Sequence, residues 1–248
     1  MTAMNTSTLN HAIYAMLTLP HNAVIADLGC RDAGFLRGFT EHFPHRIKKA
    51  VGVDCTDRAF GNVPYTLPIS LQVMDCNKTL NFPDNTFDFV FSKDMFECLP
   101  NKELLVNEIH RILKPNGTVI CVNCDWDSIV YNGQNKDLIS KAVHAYAVTQ
   151  QPWMNDSDSW IGRRMYGIFH RSGLFSDTVS VHCVTETEYA PGQFGFDFAQ
   201  HIGWLAESQV GVLTETEYKA FLAELERAHR CGEYLFAKPY YIYRGIKA

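Results

Sequence analysis

Apolar positions along this chain switch repeatedly between helical and strand spacing. Ile13, Met16 and Leu17 share one helical face and predict a helix over residues 9–19, ended by Pro20. Residues 24–36, VIADLGCRDAGFL, then read as an apolar strand ending at Asp27, a tight turn through Leu28-Gly29-Cys30, and an amphipathic helix starting near Asp32. That helix carries Phe35, Leu36 and Phe39 and runs to about Phe43, before Pro44. Strands follow at 50–54, 69–75 and 87–92; the 69–75 run alternates apolar and polar, as a half-exposed strand does, and 87–92 is nearly all apolar, as a central parallel strand is. Asn101 caps a helix with Leu105, Ile109, Ile112 and Leu113 on one face, Lys114-Pro115-Asn116-Gly117 turns the chain, and 118–123 is a fifth strand. Beyond it come helices at 136–149 and 158–172, an edge strand at 179–181, a helix opened by the capping box Thr214-Glu215-Thr216-Glu217, and a last strand at 240–246 preceded by Pro239.

Strands alternating with helices through short connections predict a doubly wound α/β sheet, in which ligands bind at the carboxyl ends of the strands. Asp27, Asp54, Asp75, Ser92 and Asp125 all fall there. A single acid at such a place is ordinary turn chemistry, but recurrence after four strands points to a site. The turn at Gly29 allows close backbone approach, and the helix after it offers unpaired N–H groups.

Composition narrows the class. The 248 residues are 46% hydrophobic, enough for a sizeable core in one domain. Net charge is −5, with no basic run, which argues against a nucleic-acid substrate. The eight cysteines lie mostly in apolar segments and read as reduced core thiols of a cytoplasmic protein. Cys121 and Cys124 form a C-x-x-C inside a strand, with no second pair to complete zinc, so no metal is expected. No run reaches the ~20 apolar residues of a membrane span, and the first ten residues lack the pattern of a secretion signal.

In their order these motifs resemble a class I S-adenosylmethionine-dependent methyltransferase, of the group that includes the ubiquinone and menaquinone C-methyltransferases and many natural-product N- and O-methyltransferases. VIADLGC is similar to the family's first motif and VGVD to its second-strand acid, and FPDNTFDFVFS followed by NEIHRILKPNG is the most specific stretch. The resemblance implies a Rossmann-like seven-stranded sheet in order 3-2-1-4-5-7-6 with strand 7 antiparallel, helices on both faces and a helical insertion before the last strand. It implies one methyltransferase domain over 1–248, with a core at about 20–125 and substrate-covering helices at about 126–175 and 190–232. The implied cofactor is S-adenosyl-L-methionine, with S-adenosyl-L-homocysteine as product. Asp27 and Gly29 would shape the pocket for its methionine moiety, Asp54 would accept from the ribose hydroxyls, Asp75 would take the adenine amino group with the Cys76 N–H beside it, and Ser92 would lie near the methionine end. Where the family has a second and third glycine, this chain has Arg31-Asp32-Ala33-Gly34, so a reshaped loop is expected. A nicotinamide dinucleotide also calls for an acid about 20 residues beyond the glycines, but Asp32 would repel its pyrophosphate.

Methyl transfer chiefly requires alignment in a water-poor site, with a base only if the acceptor must first lose a proton. Asp125 and His201 are the candidates for proton transfer; Tyr14, Trp126, Asp127 and Trp204 are the candidates for touching the acceptor. Tyr14 and Trp204 also read as packing residues, His201 as a surface residue, and Arg163 and Arg164 as a solvated helix face that would otherwise meet an acidic group. Ser92-Lys93-Asp94-Met95 stands where relatives acting on bases or glutamine amides carry Asn/Asp-Pro-Pro-Tyr, which favours a small-molecule acceptor. Phe194, Phe196, Phe198 and Trp204, within residues 192–209, would roof an aromatic or apolar one. The expectation is N- or O-methylation of a small, secondary-metabolite acceptor by a monomer or homodimer. C-methylation of a quinone-type precursor and a non-catalytic S-adenosylmethionine-binding protein stay open as alternatives.

Overall fold

The structure, a computed structural model, describes residues 3–61, 63, 64, 66–151, 154–208 and 212–248. Its sheet runs β3 (Ile69–Val73), β2 (Ile47–Asp54), β1 (Ala23–Leu28), β4 (Phe87–Lys93), β5 (Leu113–Cys124) and β8 (Phe236–Lys247), with β7 (Phe175–Glu186) on the far side of β8 and a two-residue β6 (Val130–Tyr131) continuing the β5 side. Pairings from β3 to β5 are parallel and those of β8 antiparallel. Without the short β6 this is the expected order 3-2-1-4-5-7-6. The half-exposed strands β3 and β7 lie at the two edges, as their alternation predicts.

Side-chain alternation sorts the core into two layers. Ile120, Val122 and Cys124 of β5 join one hydrophobic cluster, and Val119 and Cys121 join the other. The first is covered by α1 (Ala3–Ala15), α2 (Gly34–His42), α4 (Lys136–Ala147), α6 (Phe194–Glu207) and α7 (Glu215–Arg230). The second is covered by α3 (Lys102–Ile112) and α5 (Ile161–Ser172). Burial of the two faces of β1 and β4 explains their unbroken apolar runs, and Phe35 of α2 stacks on Phe91 of β4 at 3.6 Å between centroids.

Several expectations are corrected. The first helix ends at Ala15, because Met16 and Leu17 donate to carbonyls three residues back and tighten its last turn before Pro20. β5 begins at Leu113, so residues 114–117 are a bulge within the strand: Phe87 pairs with Leu113 and Phe89 with Thr118. The edge strand is twelve residues long, and Pro239 sits inside β8, between the residues that pair with β6 and those that pair with β5. Helix α5 was expected among the substrate-covering helices; its stripe of Ile161, Met165, Ile168 and Phe169 packs on the opposite face, with Phe169 stacked on Tyr243 at 4.1 Å. Cys55, Cys183 and Cys231 are exposed rather than core thiols. Among the described residues no helix is long and apolar enough to cross a membrane.

Candidate active site

The turn after β1 is built by hydrogen bonds to β2. Gly29 and Cys30 both donate their N–H to the Val53 carbonyl, at 2.8 and 2.9 Å, and the Arg31 N–H donates to Asp54 Oδ2 at 2.9 Å. Gly29 has φ +81°, and a Cβ there would come within 2.9 Å of Met95 Sδ, so this position requires glycine twice over. Arg31 and Ala33 also hold positive φ, 48° and 59°. Two residues of the loop that are not glycine thus hold a glycine-type backbone, at about 1 kcal/mol for each residue.

Around this turn the electrostatics are acidic. Asp27 is 2% exposed and makes no hydrogen bond among the described residues. Burial pushes its carboxyl up to about 8, the Asp54 and Asp32 charges reinforcing this and Lys93 opposing it. Asp75, at the end of β3, is held below its ordinary value by the Asn77 N–H, which donates to Oδ1 at 2.9 Å, while Lys78 lies 3.2 Å from Oδ2. Cys76 is buried next to it.

A second group closes the carboxyl ends of β4, β5 and the start of β8. Lys93 Nζ donates to Asp94 Oδ2 at 2.8 Å, and Asp94 Oδ1 accepts the Cys124 N–H at 3.1 Å. Glu97, buried, accepts from Asn123 Nδ2 at 2.6 Å and from the Trp126 indole N–H at 3.3 Å. Burial, with the Asp94 charge, pushes its carboxyl up to about 7. Lys238 is buried with its ammonium against the rings of Trp126, Phe194 and Tyr240. At the other end of the strands, a cleft of about 380 Å³ is lined by residues 17–20, Asp88 and 115–118; its one ionisable side chain, Asp88, is already paired with Lys114 and the Val24 N–H.

Asp27, Gly29, Asp54, Asp75 and Cys76 thus gather at the carboxyl ends of β1–β3. Ser92 is fully buried and donates its hydroxyl to the Leu28 carbonyl at 2.9 Å, so its proton is spent bridging β4 to β1. The two residues expected to move protons are not brought together. Asp125 is fully buried and accepts from Arg163 of α5, while Gly162 brings that helix against its Cβ. Its Oδ2 is clamped on the α5 side of the sheet, while its buried Oδ1 has no partner among the described residues. His201 is exposed on α6, its ring edge-on to Tyr146 at 5.6 Å. Asp127 binds His144 and the Trp160 indole N–H, each at 2.9 Å. Tyr14 is buried among Phe35, Phe39, His42 and Phe43 under α2 and is a packing residue; burial pushes its hydroxyl up to about 12. Trp204 packs on the core, and only Trp126 of the four acceptor candidates stands in the polar cluster. Of the expected roof, Phe194 and Phe198 face that cluster's rings and Phe196 turns to Tyr189; Gln209 lies outside the described residues.

Glu97 and Lys238 escaped the sequence reading. Lys238 was within reach of it: strand period two puts it on the face of Phe236, Tyr240 and Ile242, all buried. Nothing in the sequence marks Glu97, whose burial depends on a turn between β4 and α3.

Residues 26–121 match the family described as Methyltransferase domain. The ubiquinone/menaquinone biosynthesis C-methyltransferase UbiE of Hydrogenovibrio crunogenus is 30% identical over 160 residues, which take in 58% of this chain and 56% of that one. The chain spans only part of the curated relatives it matches, from 9% to 56% of their lengths. Among solved structures, the YcgJ protein of Bacillus subtilis aligns over 97% of this chain and 98% of its own with a TM-score of 0.62 at 13% identity. The phosphoethanolamine N-methyltransferase 2 of Haemonchus contortus, in complex with S-adenosyl-L-methionine, aligns over 97% of this chain and 52% of its own with a TM-score of 0.52 at 16% identity. At these identities the two structures speak for the fold.

Proposed function

We propose that this chain, whose residues 26–121 match the family described as Methyltransferase domain, is a class I S-adenosylmethionine-dependent methyltransferase that transfers the methyl group of S-adenosyl-L-methionine to a nitrogen or oxygen of a small-molecule acceptor of the secondary-metabolite kind. The observation that carries this reading is Asp27: a buried carboxyl without a hydrogen bond among the described residues, flanked by Asp54 and Asp32 at the glycine turn. Such a site suits a ligand with cationic centres and no phosphate, which is the character of S-adenosylmethionine and the opposite of a dinucleotide. Asp27 and Gly29 hold the methionine end; Asp54, with one oxygen engaged by Arg31, accepts from ribose through the other; Asp75 and the Cys76 N–H meet the adenine; and Ser92 fixes the distance between β4 and β1 under it. When bound, the cofactor supplies an activated methyl group, whose transfer to an acceptor lone pair breaks the carbon–sulfur bond and leaves S-adenosylhomocysteine.

The chain's own part is alignment and exclusion of water. Among the described residues Asp94, Glu97 and Asp127 have both carboxylate oxygens engaged, Asp125 has one oxygen held by Arg163, and His201 is exposed, so these side chains are first of all structural partners. This favours a heteroatom with its own lone pair over a carbon that must first lose a proton. The likeness to a C-methyltransferase supports the second reading, methylation of a quinone-type ring carbon. Incubation with methyl-labelled cofactor and a panel of amine, phenol and quinol acceptors separates the two. Label in an N- or O-methyl product is expected; label only on ring carbon overturns the first reading.

A further inference from the structure

The start of β8 carries an ammonium group for which the fold supplies no hydrogen bond. Lys238 is 1% exposed, yet among the described residues its Nζ has neither a hydrogen bond nor an ion pair. It lies 4.2 Å from the centroid of Trp126, 4.4 Å from Phe194 and 4.7 Å from Tyr240. Rings from three separate elements, the turn after β5, the first residue of α6 and β8 itself, therefore converge on one charge. Asp94 and Glu97, the carboxylates whose charges reach Lys238, do not complete it. Asp94 is spent on Lys93 and the Cys124 N–H, and Glu97 on Asn123 and Trp126. Ring faces attract an ammonium but offer its N–H bonds no lone pair of the quality of an oxygen.

Position ties this cage to the reaction. Tyr240 pairs with Cys124, the last residue of β5, so the cage stands at the carboxyl edge of the sheet. The same Tyr240 ring lies 5.1 Å from Lys93 Nζ, Lys93 holds Asp94, and Met95 next in the chain packs on Gly29. A continuous run of contacts thus links the cage to the cofactor turn. A cationic ligand would have to share the rings with an ammonium whose backbone is fixed by pairing with Val184 of β7. An anion has no such conflict with Lys238, and of the two carboxylates near it Asp94 is already paired with Lys93 and Glu97 is held by Asn123 and Trp126.

We propose that Lys238 and its three rings are the specificity site for the acceptor, and that the acceptor is a planar aromatic molecule bearing a carboxylate. The carboxylate accepts the Lys238 N–H bonds, and the rings of Trp126, Phe194 and Tyr240 flank the aromatic body. This rests on the methyl-transfer reading above. It makes Lys238 a binding residue, with no part in moving protons.

Calorimetric titration at saturating S-adenosylhomocysteine, with matched acids and amides (benzoate and benzamide, salicylate and salicylamide, cinnamate and cinnamamide), tests it. The wild-type protein is expected to prefer the acid of at least one pair by about tenfold or more. Lys238→Met is expected to bring that ratio to within about twofold of unity, and Lys238→Arg, which keeps the charge, to retain a preference. Melting curves and unchanged S-adenosylhomocysteine affinity establish that the variants are folded. Equal affinity for acid and amide in every wild-type pair, or an acid preference that survives in Lys238→Met, overturns the proposal. Failure of S-adenosylhomocysteine to bind any of the proteins strikes the methyltransferase reading instead, and the acid-to-amide ratio measured without it still decides the role of Lys238.

Discussion

Replacing Asp27 by Asn should stabilise the protein, and increasingly so as pH rises. The carboxyl is 2% exposed and pushed up to about 8, against an ordinary 3.8. Below about pH 4 it is protonated whether the chain is folded or not, and it contributes nothing to the pH dependence. Between there and about pH 8 the folded chain keeps a proton that the unfolded chain has released, so rising pH favours unfolding by about 1.4 kcal/mol per unit. Asn carries no such group. From pH 5 to pH 7 the advantage of Asp27→Asn over wild type should grow by about 3 kcal/mol, roughly 5–10 °C in Tm for a chain of this size. Glu97, pushed up to about 7, adds a slope of the same sign to both proteins and cancels in the difference. Urea denaturation followed by circular dichroism at three pH values in that interval gives the quantity directly. A difference that stays constant from pH 5 to pH 7 would refute the assignment of a buried, protonated carboxyl to Asp27. The same variant should bind S-adenosylhomocysteine more weakly, because the ligand's ammonium favours ionisation of the Asp27 carboxyl on binding and Asn has no charge to give.

Three further outcomes are expected. Arg31→Gly relieves a left-handed residue at φ 48° and should raise stability by about 0.5–1 kcal/mol; a lowered Tm would mean that the arginine side chain holds the loop. Asp125→Asn weakens the clamp on Arg163 and should cost about 1–3 kcal/mol in denaturant titrations while leaving kcat within about threefold; a large fall in kcat with little loss of stability would return Asp125 to the chemistry. His201→Ala should leave both turnover and its pH profile nearly unchanged, and the disappearance of a limb from that profile would identify His201 as the base.

Much of the frame could be read from the chain because local pattern and tertiary position agree there. The turn at Gly29, the acids closing β1, β2 and β3, the half-exposed edges and the Thr214 capping box each follow from spacing of a few residues. What spacing could not supply is which face a side chain takes after its strand ends. Asp125 comes one residue beyond β5 and turns to α5, because Gly162 lets that helix approach and Arg163 meets the carboxylate. Tyr14 lies on a helix whose partners, Phe39 and Phe43, follow it by 25 residues or more. Glycine spacing does not carry the whole turn: Arg31 and Ala33 take positive φ without being glycine, and the hydrogen bonds to Val53 and Asp54 hold the chain there. Lys238 is a polar residue at an inward strand position, which strand period alone can pick out even though no motif contains it.

Calorimetric titration with S-adenosylhomocysteine, of the wild-type protein and of Asp54→Ala, bears most directly on the central claim. The account predicts saturable binding at one site per chain, weakened about 30-fold or more in the variant by the loss of charge-assisted hydrogen bonds to ribose. No binding to the wild-type protein, or the same affinity in Asp54→Ala, would contradict it.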